Sequence, residues 1–278
     1  MTRHEVDVSA APLILVNGIE SQSVPATDRG LAYGDGVFRT LLLRDGAPQQ
    51  WERQYRKLAH DCAVLNLDVP GEALLATELQ RLGERAPRLV AKIIVTRGAS
   101  PRGYRYDPGR PPNRILLASP APKRETHAVV GVRTRRCKLH LSHQPAFAGI
   151  KHLNRLENVL ARSEWEDEQI SEGILCDVAG WVIGGTMTNL FAVREGELVT
   201  PDLGKCGVAG VTRERVLEAA RQHGVRCHVV RLAWSELMAA DELFLVNSVA
   251  GAWPVRQVDE RTWPVGPVTR TAQAWLET

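Results

Sequence analysis

Lysine is scarce in this sequence: six occur, at 57, 92, 123, 138, 151 and 205, against 29 arginines, so chemistry that needs a primary amine has six candidates. Cysteine is sparse too. The five, at 62, 137, 176, 206 and 227, include no CxxC pair and make an odd total, which suggests neither a disulfide framework nor a zinc site and fits a reducing cytoplasm. No run of 18 apolar residues occurs, and the opening MTRHEVDVSA lacks the continuous apolar stretch of a signal peptide. Charge of one sign is also missing: 35 Lys plus Arg against 32 Asp plus Glu leaves +3, too little to argue for nucleic acid or an anionic membrane as partner. The expected location is cytoplasmic and the expected partner a small molecule.

What is present is an ordinary globular balance, 44% hydrophobic and 24% charged over 278 residues, enough for one large domain or two modest ones. Leu13–Val16 runs into Asn17-Gly18, and Val37–Leu43 into Asp45-Gly46, each a strand closed by a hairpin dipeptide. Apolar positions at helical spacing predict helices over Glu52–Leu65 and Glu72–Leu82. Strands are expected at Val90–Thr96 and Arg114–Ala118, flanking a long loop rich in Gly, Pro, Arg and Tyr. Pro120-Ala-Pro122-Lys-Arg disfavours both helix and central strand, so domains are expected over 1–119 and 126–278 with a linker at 120–125. The second half predicts a strand at Val129–Thr134, a long helix over Leu153–Gln169, strands at Ile174–Val178, Trp181–Ile183, Asn189–Val193 and Glu242–Val246, and an amphipathic helix over Thr212–His223. The mixture places the chain in the α/β (α+β) class.

Two features carry chemistry. Lys151 lies just before a predicted helix in Ala148-Gly-Ile-Lys-His-Leu-Asn-Arg-Leu-Glu157, where it could project into a cleft or simply face solvent. Gly207-Val-Ala-Gly-Val-Thr212 opens a helix, where free N–H groups and the helix dipole can hold a phosphate, although Thr212 also suits an ordinary cap. His140 and His143 stand three apart without a nearby third ligand and read as loop histidines, so no metal site is expected. Asp28 and Arg29 read as a buried pair, and Arg39 as facing either a cleft or solvent.

Six ordered motifs carry a resemblance. They are Asp28-Arg-Gly-Leu-Ala-Tyr-Gly-Asp-Gly-Val-Phe38, Thr96-Arg-Gly followed by Arg102-Gly-Tyr104, Gly149-Ile-Lys-His-Leu-Asn-Arg-Leu-Glu157, Thr188-Asn-Leu-Phe191, Gly207-Val-Ala-Gly-Val-Thr212, and Asn247-Ser248 before Trp253-Pro-Val255. With them the chain resembles the fold-type IV pyridoxal-phosphate enzymes, the class IV aminotransferase family, which includes branched-chain and D-amino-acid aminotransferases and 4-amino-4-deoxychorismate lyase. Lys-His-Leu-Asn-Arg-Leu-Glu together with Arg-Gly-Tyr is more similar to the lyase branch.

The resemblance implies a small N-terminal α+β domain, a larger C-terminal domain with a barrel-like sheet, a homodimer, and pyridoxal 5'-phosphate in the cleft between the domains. It implies that Lys151 carries the cofactor covalently and moves protons, that Val211, Thr212, Asn247 and Ser248 contact the phosphate, and that Arg56 or Lys57 adds a cation. It likewise implies that Arg97, Arg102, Tyr104, Tyr33, His152 and Asn154 line the substrate site, with aminodeoxychorismate as the substrate. One departure stands out: where the family carries a glutamate five residues before the asparagine of Thr188-Asn, this chain has Gly184. A weaker electron sink is expected there, which tilts the reading from amino transfer toward the lyase; an aminotransferase of the same fold and a non-catalytic cofactor-binding paralogue are the alternatives.

Overall fold

The computed structural model describes residues 13–122 and 125–277. The amino-terminal decapeptide read for a leader, and Lys123-Arg124 of the expected linker, lie outside the described residues. The chain forms two compact units, Met1–Ala121 and Pro122–Thr278.

The N-terminal unit runs β1 (Leu13–Val16), β2 (Ile19–Glu20), α1 (Arg29–Tyr33), β3 (Gly36–Arg44), β4 (Ala47–Pro48), α2 (Trp51–Val64), α3 (Glu72–Gly83), β5 (Arg88–Thr96) and β6 (Asn113–Pro120). Its strands form an antiparallel sheet in the order β2-β1-β6-β5-β3-β4. Alternation decides which face is covered: Val37, Leu41 and Leu43 of β3 and Ala91, Ile93 and Val95 of β5 are buried, as are Leu58 and Cys62 of α2 and Leu75, Leu79 and Leu82 of α3. Arg39 faces neither a cleft nor solvent, because it shares the buried face of β3 and forms an ion pair with buried Asp61. Asp28 and Arg29 are both buried but not with each other. Asp28 caps α1 through the Gly30 N–H (2.7 Å) and accepts from Thr96 and Asn113, while Arg29 pairs with Asp35 at 2.8 Å.

The C-terminal unit runs α4 (Glu125–Val130), β7 (Val132–Leu141), α5 (Leu156–Arg162), β8 (Ile170–Asp177), β9 (Trp181–Gly185), β10 (Asn189–Arg194), β11 (Glu197–Pro201), α6 (Val211–Gln222), β12 (Cys227–Val230), β13 (Leu232–Ala233), α7 (Trp234–Met238), β14 (Glu242–Asn247), β15 (Gly251–Val258), β16 (Arg261–Thr262) and α8 (Pro267–Glu277). Strand order is β12-β11-β10-β14-β15-β7-β8-β9-β13, with β16 beside β15. The sheet curls, because Val199 of β11, near one end of that order, shares a core cluster with Val182 of β9 and Leu232 of β13 at the other. Strands spaced about 4.8 Å apart could not bring those residues together in a flat sheet. The result is the barrel-like domain that the resemblance implies. Outside it, α6 and α8 lay Val216, Ala220 and Ala272 against Phe191, Val193, Phe244 and Val246.

Two sequence expectations are corrected in this unit. Residues 125–130 form α4, and the strand starts only at Val132, because Gly131 turns the chain at φ +78° and donates back to the His127 carbonyl. The helix expected over 153–169 is only α5. It ends where the Glu164 carboxylate reaches across to the N–H groups of Lys138 and Leu139 (2.7 and 2.8 Å) and the Trp165 ring turns into the core, its indole N–H on the Ile170 carbonyl at 3.0 Å. No helix among the described residues is long and apolar enough to cross a membrane.

Candidate functional site

The segment that carries Lys151 and the glycine-rich loop are tied together by the backbone. The Gly149 N–H donates to the Gly207 carbonyl (3.0 Å), the Ala209 N–H returns to the Gly149 carbonyl (2.9 Å), and the Gln144 N–H reaches the Lys205 carbonyl (2.9 Å). Ile150 is buried and anchors the segment beside Lys151. From the other side Asn189, the first residue of β10, donates to the Val208 carbonyl at 2.7 Å and accepts from the Gly210 N–H at 3.0 Å. A Cβ on Gly210 would lie 2.5 Å from that side-chain oxygen, so the approach admits only glycine. Gly210 caps α6 without a side chain, which leaves the N–H groups of the first turn and the positive end of the helix dipole available to an anion. Val211 and Thr212 are buried there, and the Thr212 hydroxyl lies 3.5 Å from the Ser248 hydroxyl. Asn247 holds the turn that presents Ser248, accepting from the N–H groups of Val249 (3.0 Å) and Ala250 (2.7 Å).

Sequence reasoning missed the residue beneath this arrangement. Glu172 of β8 is fully buried, and its carboxylate accepts from the N–H groups of Gly173 (2.9 Å), Thr186 (3.0 Å) and Met187 (3.1 Å) and from the hydroxyls of Thr186 and Thr188. Burial pushes its carboxyl above the ordinary range against the pull of those donors. It fixes the turn 186–188 between β9 and β10. The turn's carbonyls at Thr186 and Met187 hold Asn158 and Asn247, and the residue after it is Asn189. Gly184 lies in β9, and a Cβ there would meet the Thr188 carbonyl at 2.9 Å, so this backbone is built without a side chain at that position.

His152 follows Lys151, with its ring edge-on to Phe147 at 4.7 Å. Arginine can only donate, so the contact from the Arg155 guanidinium to Nε2 makes that nitrogen the acceptor and puts the proton on Nδ1. Nδ1 is buried with no hydrogen-bond partner among the described residues. Burial, with Arg155 adding to it, lowers the His152 pKa from 6.5 to about 4. Between those values the unfolded chain binds a proton that the folded chain refuses, so stability falls as pH drops through the window. After allowance for solvent screening we expect His152 to cost about 1–2 kcal/mol on going from pH 7 to pH 4. Urea unfolding of wild type and His152→Gln at both pH values measures it; an equal loss in the two proteins would refute it.

The other expected site residues are scattered. Asn154 is exposed on the approach to α5. In the N-terminal unit Arg56 is exposed and Lys57 half-buried on α2; Tyr33 ends α1 beneath the Arg29 guanidinium, with the exposed Tyr104 ring 5.4 Å away; and Arg102 is exposed in the long loop. Arg97 does not reach for a carboxylate ligand. Its guanidinium turns inward to Asp35 (2.9 Å) and the carbonyls of Asn66 (2.8 Å) and Leu65 (2.7 Å), and it stacks on Tyr106.

Comparison with known proteins agrees with this geometry. The family model described as amino-transferase class IV matches residues 36–258. The chain is 31% identical to aminodeoxychorismate lyase of Vibrio harveyi, over 95% of this chain and 99% of that one. It is 37% identical to a probable branched-chain-amino-acid aminotransferase of Thermotoga maritima, over 84% of this chain and 82% of the other. The crystal structure of 4-amino-4-deoxychorismate lyase from Pseudomonas aeruginosa superposes with a TM-score of 0.89 at 46% identity, covering 95% of this chain and 98% of its own. With Lys151, the glycine-rich loop and the Thr212–Ser248 pair gathered in one barrel-like unit, the chain belongs to the class IV aminotransferase family.

Proposed function

We propose that the protein is a pyridoxal-phosphate-dependent 4-amino-4-deoxychorismate lyase, which releases pyruvate and forms 4-aminobenzoate, the product that feeds folate synthesis. The observation that carries this reading is the likeness to the lyase structure from Pseudomonas aeruginosa, 46% identical over nearly the whole chain, against 27% and 24% for two transaminase structures of the same fold.

The residues present fit the cofactor. An uncapped helix start, a glycine that admits the backbone, two hydroxyls 3.5 Å apart and an orphaned donor at His152 Nδ1 suit a phosphate and a polar ring close to a lysine. The N–H groups of Val211 and Thr212 and the hydroxyls of Thr212 and Ser248 would hold the phosphate, and Lys151 the covalent link. Bound there, pyridoxal phosphate supplies the electron sink for the bond that breaks. The Lys151 amine would take the proton from the substrate carbon that bears the amino group and return one to the departing enolpyruvyl group. His152 Nδ1–H donates to an acceptor on the bound molecule, which fixes its orientation. Glycine at 184 favours the lyase over amino transfer, because expulsion of enolpyruvate and formation of an aromatic ring drive the reaction and demand less of the electron sink.

The homodimer belongs to the same proposal. It is supported by Leu156, Val159 and Leu160, an exposed apolar stripe along α5. The test is to supply aminodeoxychorismate to enzyme collected from a sizing column at the mass of two chains. Equal amounts of pyruvate and 4-aminobenzoate, formed without a 2-oxoacid acceptor, are expected. Turnover only with an amino donor and a 2-oxoacid would make the chain an aminotransferase, and cofactor retention with neither activity would make it a binding paralogue.

A further inference from the structure

Spacing along the chain offers His143 no third ligand, but the fold brings two partners to it from distant segments. His143 Nε2 lies 2.8 Å from Asp177 Oδ2 at the end of β8, and Cys206, which precedes the glycine-rich loop, completes a group whose donor atoms all lie within 4.8 Å of one another. We propose that His143, Asp177 and Cys206 form a binding site for Zn2+, with water as the fourth ligand.

The donor set selects the metal. One imidazole, one carboxylate and one thiolate suit Zn2+ and its analogue Co2+, whereas Mg2+ and Ca2+ require oxygen ligands. Bond lengths of about 2.0–2.3 Å in a tetrahedron put donors about 3.2–3.8 Å apart. The His143–Asp177 pair therefore opens by about half an ångström, and the widest pair closes by about one. The carboxylate is already oriented, because Asp177 Oδ1 accepts from the N–H groups of Ala179 (3.0 Å) and Trp181 (2.9 Å), which leaves Oδ2 for the ion. Asp177 and Cys206 are buried, and His143 is the member open to solvent. Beside Asp177 a small hollow of about 10 Å³, lined also by Trp181, Asp202, Lys205 and Arg231, has room for about one water. Binding exchanges the thiol S–H for an S–Zn bond and releases the proton to solvent, with no change of oxidation state.

The ion would clamp two segments that the backbone already joins. His143 and Cys206 flank the Gln144–Lys205 hydrogen bond, and the same two segments go on to Lys151 and to the glycine-rich loop. Bound Zn2+ therefore stiffens both supports of the cofactor site.

Holoenzyme dialysed against a chelator and titrated with CoCl2 is expected to bind one equivalent per chain, with the visible bands of four-coordinate cobalt. Cys206→Ser and His143→Gln should each weaken binding by at least about 100-fold, while Cys227→Ser, remote in sequence from all three ligands, leaves it unchanged. X-ray absorption of the Zn2+-loaded wild-type holoenzyme should show one sulfur neighbour at about 2.3 Å and needs no variant to fold. No stoichiometric binding, binding that survives both substitutions, or zinc without a sulfur neighbour would overturn the proposal and leave His143–Asp177 as a hydrogen-bonded pair only.

Discussion

Replacing Lys151 with alanine is expected to lower turnover by at least about 10³-fold, because one amine serves as both the covalent attachment and the proton carrier. Folding should change little. The segment around Lys151 is held by Ile150 and by the backbone bonds of Gly149, none of which involves the Lys151 ammonium. The variant should still take up pyridoxal phosphate through the start of α6 and the hydroxyls of Thr212 and Ser248, but without a bond that borohydride can fix. Peptide mapping after reduction gives the sharper test, since the surroundings of Lys92 would also favour a reactive amine. Burial lowers its pKa, and it sits 4.7 Å over the Phe38 ring. Lys92 lies on β5, whereas the segment that carries Lys151 is bonded through Gly149 to Gly207 and Ala209 of the loop that leads into the uncapped helix start. A label on Lys151 alone is expected. A label on Lys92, or wild-type turnover in Lys151→Ala, would overturn the assignment.

Much of the N-terminal unit was legible because its signals are local. Asn17-Gly18 and Asp45-Gly46 mark hairpins, and the helix expected over 52–65 is α2 at Trp51–Val64. In the C-terminal unit periodicity misled where apolar residues do not face the core: Leu156, Val159 and Leu160 repeat at helical spacing yet point outward, and the helix stops when Trp165 finds a better place inside. Strands β12, β13 and β15 gave no usable pattern. The residues of β12 are mostly exposed, those of β15 mostly buried on both faces, and β13 is two residues long.

For the site, Lys151 and the glycine-rich loop could be read because each belongs to a contiguous motif. Arg97 could not, because main-chain carbonyls at Leu65 and Asn66, which any sequence supplies, decide where its guanidinium goes. The partners of His143 arrive 34 and 63 residues later. Glu172 was hidden for a related reason. A single acid in an apolar strand looks like a break in the pattern until the turn 14–16 residues further on folds back over it.

Glu172→Ala should be the most damaging substitution outside the chemistry, lowering stability by about 3–5 kcal/mol. The N–H groups of Gly173 and Met187 and two hydroxyls would lose this acceptor together, the Thr186 N–H would keep only the Gly173 carbonyl (3.1 Å), and a cavity would open beneath Gly185. Glu172→Gln keeps the volume but replaces one oxygen with an NH2. With its carbonyl in place of Oε1, which takes three of the donors, the amide nitrogen would face the Met187 N–H, whereas the Thr188 hydroxyl can rotate and accept. A smaller loss, about 1–3 kcal/mol, is expected. Denaturant unfolding ranks the two variants, and a Glu172→Ala protein within about 1 kcal/mol of wild type would show that the carboxylate holds nothing. Cofactor affinity separates support of the site from general stability. The turn that Glu172 fixes runs directly into Asn189, which holds the loop before α6, so affinity and stability should fall together in both variants. Thr212→Val, which removes a hydroxyl from the phosphate end and leaves the turn intact, should lower affinity alone.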